Sequence, residues 1–194
     1  KAIEKIVLFC KDKSNTKGLI VIPTGGGKTL TTLRAINSLY DRKIISKKVL
    51  WVSHLKTLNT QTKKVLNRQL KWGKFINKLE KVNKSLSLVK PKMVTEASKL
   101  IKVNKDEFEL IIIDEAHNFV SRIWNKLEKG ETSVSTMMYE DILCAENCNV
   151  VVLSGTPLIN YPCELGVMFN MIRGTNTLLD IHFTNKDRSK MNIG

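Results

Sequence analysis

The stretch Leu19–Leu30, "LIVIPTGGGKTL", decides how the rest of the chain is read. An apolar run, a proline, three glycines and a Lys-Thr pair follow one another without a gap. Such a run predicts a buried strand, a sharp turn and the start of a helix. Gly25, Gly26 and Gly27 allow the turn and leave backbone N–H groups open to approach, because no Cβ stands in the way. A helix beginning near Lys28 directs the positive end of its dipole at that turn, which suits an anion, phosphate above all. In such a cradle Thr24 stands at the entry, Lys28 reaches the terminal phosphates, and Thr29 offers its hydroxyl to Mg2+. The strict phosphate-loop pattern has a glycine where this chain has Ile22, the expected last residue of the strand. On these residues alone, a strand–helix turn with glycines for geometry stays open.

Outward from this stretch, short apolar runs alternate with longer amphipathic ones, the pattern of a mostly parallel sheet covered by helices on both faces. Strands are expected at Gly18–Ile22, Lys48–Ser53, Phe108–Asp114 and Asn149–Ser154, with a weaker one near Leu86–Val94. Leu33, Ile36 and Tyr40 share one face of the helix after the glycines, and Leu165, Met168, Phe169 and Ile172 repeat that spacing after Pro162. A longer helical region is expected from Leu55 to about Val82, broken near Gly73.

A nucleotide site needs a second component: an acid at the end of a neighbouring buried strand for the metal, and a base to orient water. "ELIIIDEAHN" (Glu109–Asn118) supplies both. Asp114 follows an apolar strand and emerges at the carboxyl edge of the sheet, where ligands of open α/β sheets bind. It is the candidate Mg2+ partner, Glu115 the candidate base. His117 is a candidate catalytic residue, though a histidine there also fits a cap or a packing role.

"PTGGGKT", "DEAH" and "LSGTPLIN" (Leu153–Asn160), in this order and each at a strand end, resemble motifs I, II and III of superfamily 2 helicases and translocases. That resemblance implies a RecA-like P-loop NTPase fold, the first of two such domains, using ATP and Mg2+. The family tolerates a non-glycine residue at the Ile22 position, which favours a nucleotide site. It also implies that Ser154 and Thr156 couple phosphate state to domain movement; a simple turn cap is the plainer reading of the same hydroxyls. "LSGTPLIN" is more similar to the SWI/SNF-type translocases than to the DEAH-box RNA helicases. "YPCELGVMFNMIRG" (Tyr161–Gly174) resembles helicases of large DNA viruses: the poxvirus-type early transcription factor small subunit and the related nucleoside triphosphate phosphohydrolase.

The charge bears on the partner. Thirty-two Lys and Arg oppose 18 Asp and Glu, a net charge of +14. Such a surplus favours polyanions, nucleic acid first, although a solubility charge looks the same in composition. "WVSHLKTLNTQ" (Trp51–Gln61) resembles motif Ia, which makes Ser53, His54 and Lys56 candidate grips on a nucleic-acid backbone. Thr95 sits where motif Ib is expected. Lys64, Arg68, Lys71, Lys74, Lys78 and Lys81 recur at helical spacing, as a phosphate-tracking stripe or an ordinary solvated face. Aromatic residues make up 6%, so backbone binding is expected over base stacking. Cys10, Cys144, Cys148 and Cys163 lack zinc-site spacing and suggest free thiols in a reducing, intracellular compartment, host cytoplasm or virion if the viral resemblance holds. No apolar run approaches the roughly 20 residues of a membrane helix, so no membrane partner is expected.

The expected organisation is a lead-in helix and loop over 1–17, the ATP-binding domain over 18–174, and a polar tail or linker over 175–194 toward a second RecA-like domain. The expected function is an ATP hydrolase motor of helicase or translocase type acting on DNA or RNA, with the isolated domain weakly active. A viral RNA polymerase or transcription factor subunit is a further expected partner. A nucleic-acid-binding or assembly module with a switch-like or silent ATP site, and a restriction-enzyme motor subunit, are the alternatives.

Overall fold

A computed structural model describes residues 1–53, 56–71, 86–89, 108–145, 147–156 and 161–175. Its frame is a five-stranded, wholly parallel sheet of β1 (Lys17–Val21), β2 (Lys48–Ser53), β3 (Leu86–Val89), β4 (Phe108–Asp114) and β5 (Asn149–Ser154), in the order β1-β5-β4-β2-β3. Before and between the strands run α1 (Ala2–Lys11), α2 (Lys28–Asp41), α3 (Lys56–Lys71), α4 (Ala116–Leu127) and α5 (Val134–Leu143); α6 (Cys163–Arg173) follows β5.

The strands are apolar on both faces because both faces are covered. Side chains alternate across a strand, so each central strand divides its residues between two cores. Leu50, Val52, Ile111, Ile113, Val150 and Val152 face α4, α5 and α6, where Phe119, Ile123, Met138 and Met168 meet them. Val49, Trp51, Leu110, Ile112, Val151 and Leu153 face α1, α2 and α3, against Ile6, Leu33, Ile36 and Leu66. Each such aliphatic side chain contributes about 1.5–3 kcal/mol by leaving water. Truncating one at the centre, Ile112→Ala for example, is expected to remove about 2–5 kcal/mol.

Helix ends are set by local chemistry. At α5, Ser133 Oγ accepts from the Thr136 N–H while Thr136 Oγ1 accepts from the Ser133 N–H, a reciprocal cap. α6 stops at Gly174, whose φ of +71° a side chain would resist.

Three details differ from the sequence-based expectation. β1 ends at Val21 rather than Ile22, although the Ile22 N–H still donates to the Ser154 carbonyl at 3.1 Å. α6 buries Glu164, Val167, Met168 and Met171, while Phe169 is 52% exposed. Leu165, Met168, Phe169 and Ile172 are a valid helical stripe, but the sheet selects the neighbouring one. The expected strand near Leu86–Val94 is seen as Leu86–Val89, and positions 90–94 lie outside the described residues, as do Gly73 and the expected helix beyond it.

The strand order positions the site. β5 lies between β1 and β4. The loop leaving β1, the acids ending β4 and the turn ending β5 therefore meet at one carboxyl edge, the β5 turn in the middle.

Candidate active site

The glycine loop folds as a tight turn. The Gly26 N–H donates to the Pro23 carbonyl at 2.9 Å. Gly25 and Gly27 have φ of +81° and +76°, the left-handed region that favours glycine. A Cβ built at either would meet nothing within 4 Å, so the loop borders open space at both positions. Gly27 caps α2 without any side-chain hydrogen bond, and its carbonyl accepts the Thr31 N–H at 2.8 Å. The first turn of α2 thus keeps its N–H groups for something else.

Lys28, the first residue of α2, is buried beside the acids of β4. Its Nζ donates to Glu115 Oε1 at 2.5 Å and lies 3.8 Å from Asp114 Oδ1. Asp114 is 3% exposed. Burial pushes its pKa up to about 6; Lys28 opposes that shift, Glu115 adds to it, and the Glu115 N–H, donating to Oδ1 at 3.0 Å, opposes it. This carboxylate is short of positive charge and would gain from a further cation. Glu115 holds φ +49° and ψ +50°, unusual for a residue with a side chain, as the last residue before α4. Such strain collects at functional positions.

His117, in the first turn of α4, joins this group to β5. Its Nδ1 lies 3.0 Å from Ser154 Oγ and 3.5 Å from Glu115 Oε2, and its Nε2 lies 2.7 Å from the Asn118 amide nitrogen. With that amide donating to Nε2, neutral His117 carries its proton on Nδ1 and donates toward Ser154. Burial lowers the His117 pKa, while Glu115 and Glu164 act against the shift. Ser154 Oγ also accepts the Thr156 N–H at 3.2 Å. Gly155 lets this turn approach the phosphate loop: a Cβ there would sit 3.0 Å from Thr24 Oγ1 and 3.3 Å from Thr24 N.

The structure therefore brings Lys28, Asp114, Glu115, His117 and Ser154 together, with Thr24, Gly25, Gly26, Gly27 and Thr29 around the open loop and Thr156 bonded through its backbone. Ser53 needs correction as a grip on nucleic acid. It is 2% exposed, at the end of β2 opposite Asp114, where a passing strand cannot reach its hydroxyl. His54 and Thr95 lie outside the described residues, and so does the side chain of Lys56. Lys64 and Arg68 are exposed on α3, while Leu66 of the same helix is buried; positions 74, 78 and 81 lie outside the described residues.

Two buried polar residues escaped the sequence reading. Glu164, in the first turn of α6, accepts from Ser121 Oγ of α4 at 2.5 Å. Trp51 lies in a strand that reads as plain core. Only its indole N–H hints at another role, since a buried donor needs an acceptor.

Magnesium would draw on these same groups. Among the described residues no group of three or more His, Cys, Asp and Glu side chains is arranged to hold a metal ion by itself. Magnesium at nucleotide sites takes one or two protein oxygens and completes its shell with phosphates and water. Asp114, buried and under-compensated, and Thr29 beside the open loop match that donor set. The four cysteines are free, and burial pushes the Cys10 and Cys148 thiols up to about 12. No helix among the described residues is long and apolar enough to cross a membrane. A cavity of about 560 Å3 between α1 and β1 contains none of the charged site residues.

The family model described as "Type III restriction enzyme, res subunit" (ResIII) matches residues 1–159. The chain belongs to the ResIII family. Within superfamily 2 it is a helicase-type RecA-like domain with viral relatives. It is 27% identical over 174 residues to the "Termination factor NPH-I homolog" of African swine fever virus, matching 87% of this chain and 24% of that protein. It is 37% identical over 68 residues to an Acanthamoeba polyphaga mimivirus protein provisionally named an ATP-dependent RNA helicase, 33% of this chain and 8% of that one. The chain thus spans about a quarter of the length of the African swine fever virus relative. In fold, the chain resembles the Pyrococcus furiosus Hef helicase domain (TM-score 0.58, 19% identity, 88% of this chain and 35% of that one). It also resembles the UvsW helicase from Bacteriophage T4 (TM-score 0.50, 13% identity, 88% and 56%).

Proposed function

We propose that this domain binds and hydrolyses ATP as the first motor half of a nucleic-acid-dependent helicase or translocase. The observation that supports it most is the convergence of Lys28, Asp114 and Glu115, with Lys28 Nζ within 3.8 Å of both carboxylates at the mouth of an open glycine loop. Gly25, Gly26, Gly27 and the first N–H groups of α2 receive the phosphates. Lys28 leaves Glu115 for the terminal phosphate and neutralises charge that develops there. Glu115, released, orients the attacking water and accepts its proton. Bound Mg2+, held by Asp114 and Thr29, supplies further charge neutralisation on the phosphate oxygens. His117 and Ser154 pass the resulting change to the turn after β5.

The nucleic acid, DNA or RNA, is held by its backbone, consistent with the net charge of +14 and with exposed Lys64 and Arg68. His54, Lys56 and Thr95 are the proposed grips. A second RecA-like domain, reached through a linker over 175–194, completes the site. The isolated domain, over 18–174 with its lead-in at 1–17, is therefore weakly active. A setting in viral transcription, beside an RNA polymerase or transcription factor subunit, is favoured by the likeness to the protein named a termination factor homologue.

The test is Glu115→Gln in the full-length protein. Nucleotide binding is expected to persist while turnover falls about 10²–10⁴-fold, the usual contribution of a general base. Turnover unchanged by the substitution would sink the reading and favour a switch or a scaffold.

A further inference from the structure

We propose that Trp51 is a positioning residue for Asp114: its indole N–H fixes the metal-facing carboxylate once the site is loaded. The proposal rests on the nucleotide–metal reading above.

Trp51 sits in β2 and Asp114 in the adjacent β4. In the parallel register Trp51 lies opposite Ile112 and Ser53 opposite Asp114. Trp51 and Ile112 point into the same core. Alternation puts Asp114, two residues beyond Ile112, on that face as well. With a rise of about 3.3 Å per residue and strands about 4.8 Å apart, the two Cα atoms stand roughly 8 Å apart on the diagonal. An indole spans that gap.

Trp51 is 0% exposed, and its Nε1 has no hydrogen-bond partner among the described residues. A phenylalanine would fill a core position without such an unsatisfied donor. The indole nitrogen nonetheless lies near enough to Asp114 to favour its ionised form, although the pair has not closed to bonding geometry. In the structure Asp114 Oδ1 is engaged by the Glu115 N–H and faces Lys28. When phosphate draws Lys28 away, the carboxylate loses that cation and must reorient toward the metal. The Trp51 N–H is a buried, unpartnered donor on the inner side. A donor behind a ligating carboxylate fixes its orientation, and losing such a donor typically weakens metal binding about 10–100-fold.

Trp51→Phe in the full-length protein tests this by equilibrium binding of a non-hydrolysable ATP analogue. The Mg2+ concentration that half-saturates the magnesium-dependent part of binding is expected to rise about tenfold, while binding in excess EDTA stays as in wild type. A magnesium midpoint within about twofold of wild type overturns the proposal. So does an equal loss with and without Mg2+, which would mark Trp51 as packing alone. If Trp51→Phe does not fold, the indole N–H resonance of wild type carrying 15N-tryptophan at position 51 alone decides. It should move downfield on adding Mg2+ with the analogue and not with the analogue in EDTA; no movement overturns the proposal. Wild type that binds no analogue at all defeats the nucleotide reading, and this inference with it.

Discussion

Lys28 Nζ is bonded to Glu115 Oε1 at 2.5 Å and stands 3.8 Å from Asp114 Oδ1. The cation proposed to bind phosphate is therefore engaged by the carboxylate proposed as base. A nucleotide must break this pair before either group can act, so binding and activation of the base are one event. Removing Lys28 leaves two adjacent carboxylates facing each other. In Lys28→Met, nucleotide binding measured by calorimetry is expected to disappear. Stability should fall by about 3–5 kcal/mol at pH 8, because a buried pair has been broken from one side, and by less at pH 5, where Asp114 can take a proton.

Asp114 gives a pH prediction whose sign is fixed. Its folded-state pKa is raised from 3.8 to about 6. A raised carboxyl pKa contributes stability that is fully present below about pH 4 and lost as pH rises through about 6. Asp114→Asn does not titrate there. Relative to wild type it should therefore gain roughly 3 kcal/mol in urea unfolding between pH 4 and pH 7, the shift of about two units converted at 1.36 kcal/mol per unit. A difference between the two proteins that stays flat over that range would contradict the burial of this carboxylate.

Ser154→Ala removes an acceptor shared by His117 Nδ1 and the Thr156 N–H. Leaving such donors unmatched costs about 1–3 kcal/mol in thermal or denaturant unfolding. In the full-length protein, basal ATP turnover should change little, while its stimulation by nucleic acid falls several-fold. Equal stimulation of mutant and wild type would separate Ser154 from coupling.

Gly27→Ala probes the loop without touching its charges. At φ +76° an alanine carries a strain of roughly 1–2 kcal/mol, with no steric clash to add to it. Nucleotide affinity should fall as the loop relaxes away from that conformation, and the loss should be equal with and without Mg2+. A magnesium-dependent loss would instead place the glycine at the metal.

Much of this molecule is readable from residue order because burial on both faces leaves so few alternatives. Lys48–Ser53, Phe108–Asp114 and Asn149–Ser154 have the bounds that their apolar runs suggest. The glycine run and the acids ending a strand carry the location of the site, since topology alone makes them meet. Side-chain direction is less legible. Phe169 looks like core by spacing, yet lies outward because Val167 and Met171 fit the sheet better. Ser53 reads as a surface donor at a strand end, but its place beside Asp114 in the sheet buries it. Trp51 hides its polar end inside a run of hydrophobic letters, and Glu164 finds Ser121 through a packing of two helices that no local pattern announces. α4 and α5, between Ala116 and Leu143, lie where the sequence-based expectation has no helix.

The interposition of β5 between β1 and β4 has a mechanical corollary. The turn Ser154–Gly155–Thr156 touches both neighbours, the glycine loop through Ile22 and Thr24 and the acids through His117. If the phosphate loop and the acids separate when product leaves, this hinge-pin must follow one of them and forsake the other. On the proposed function, each turnover then pulls on the chain at Thr156.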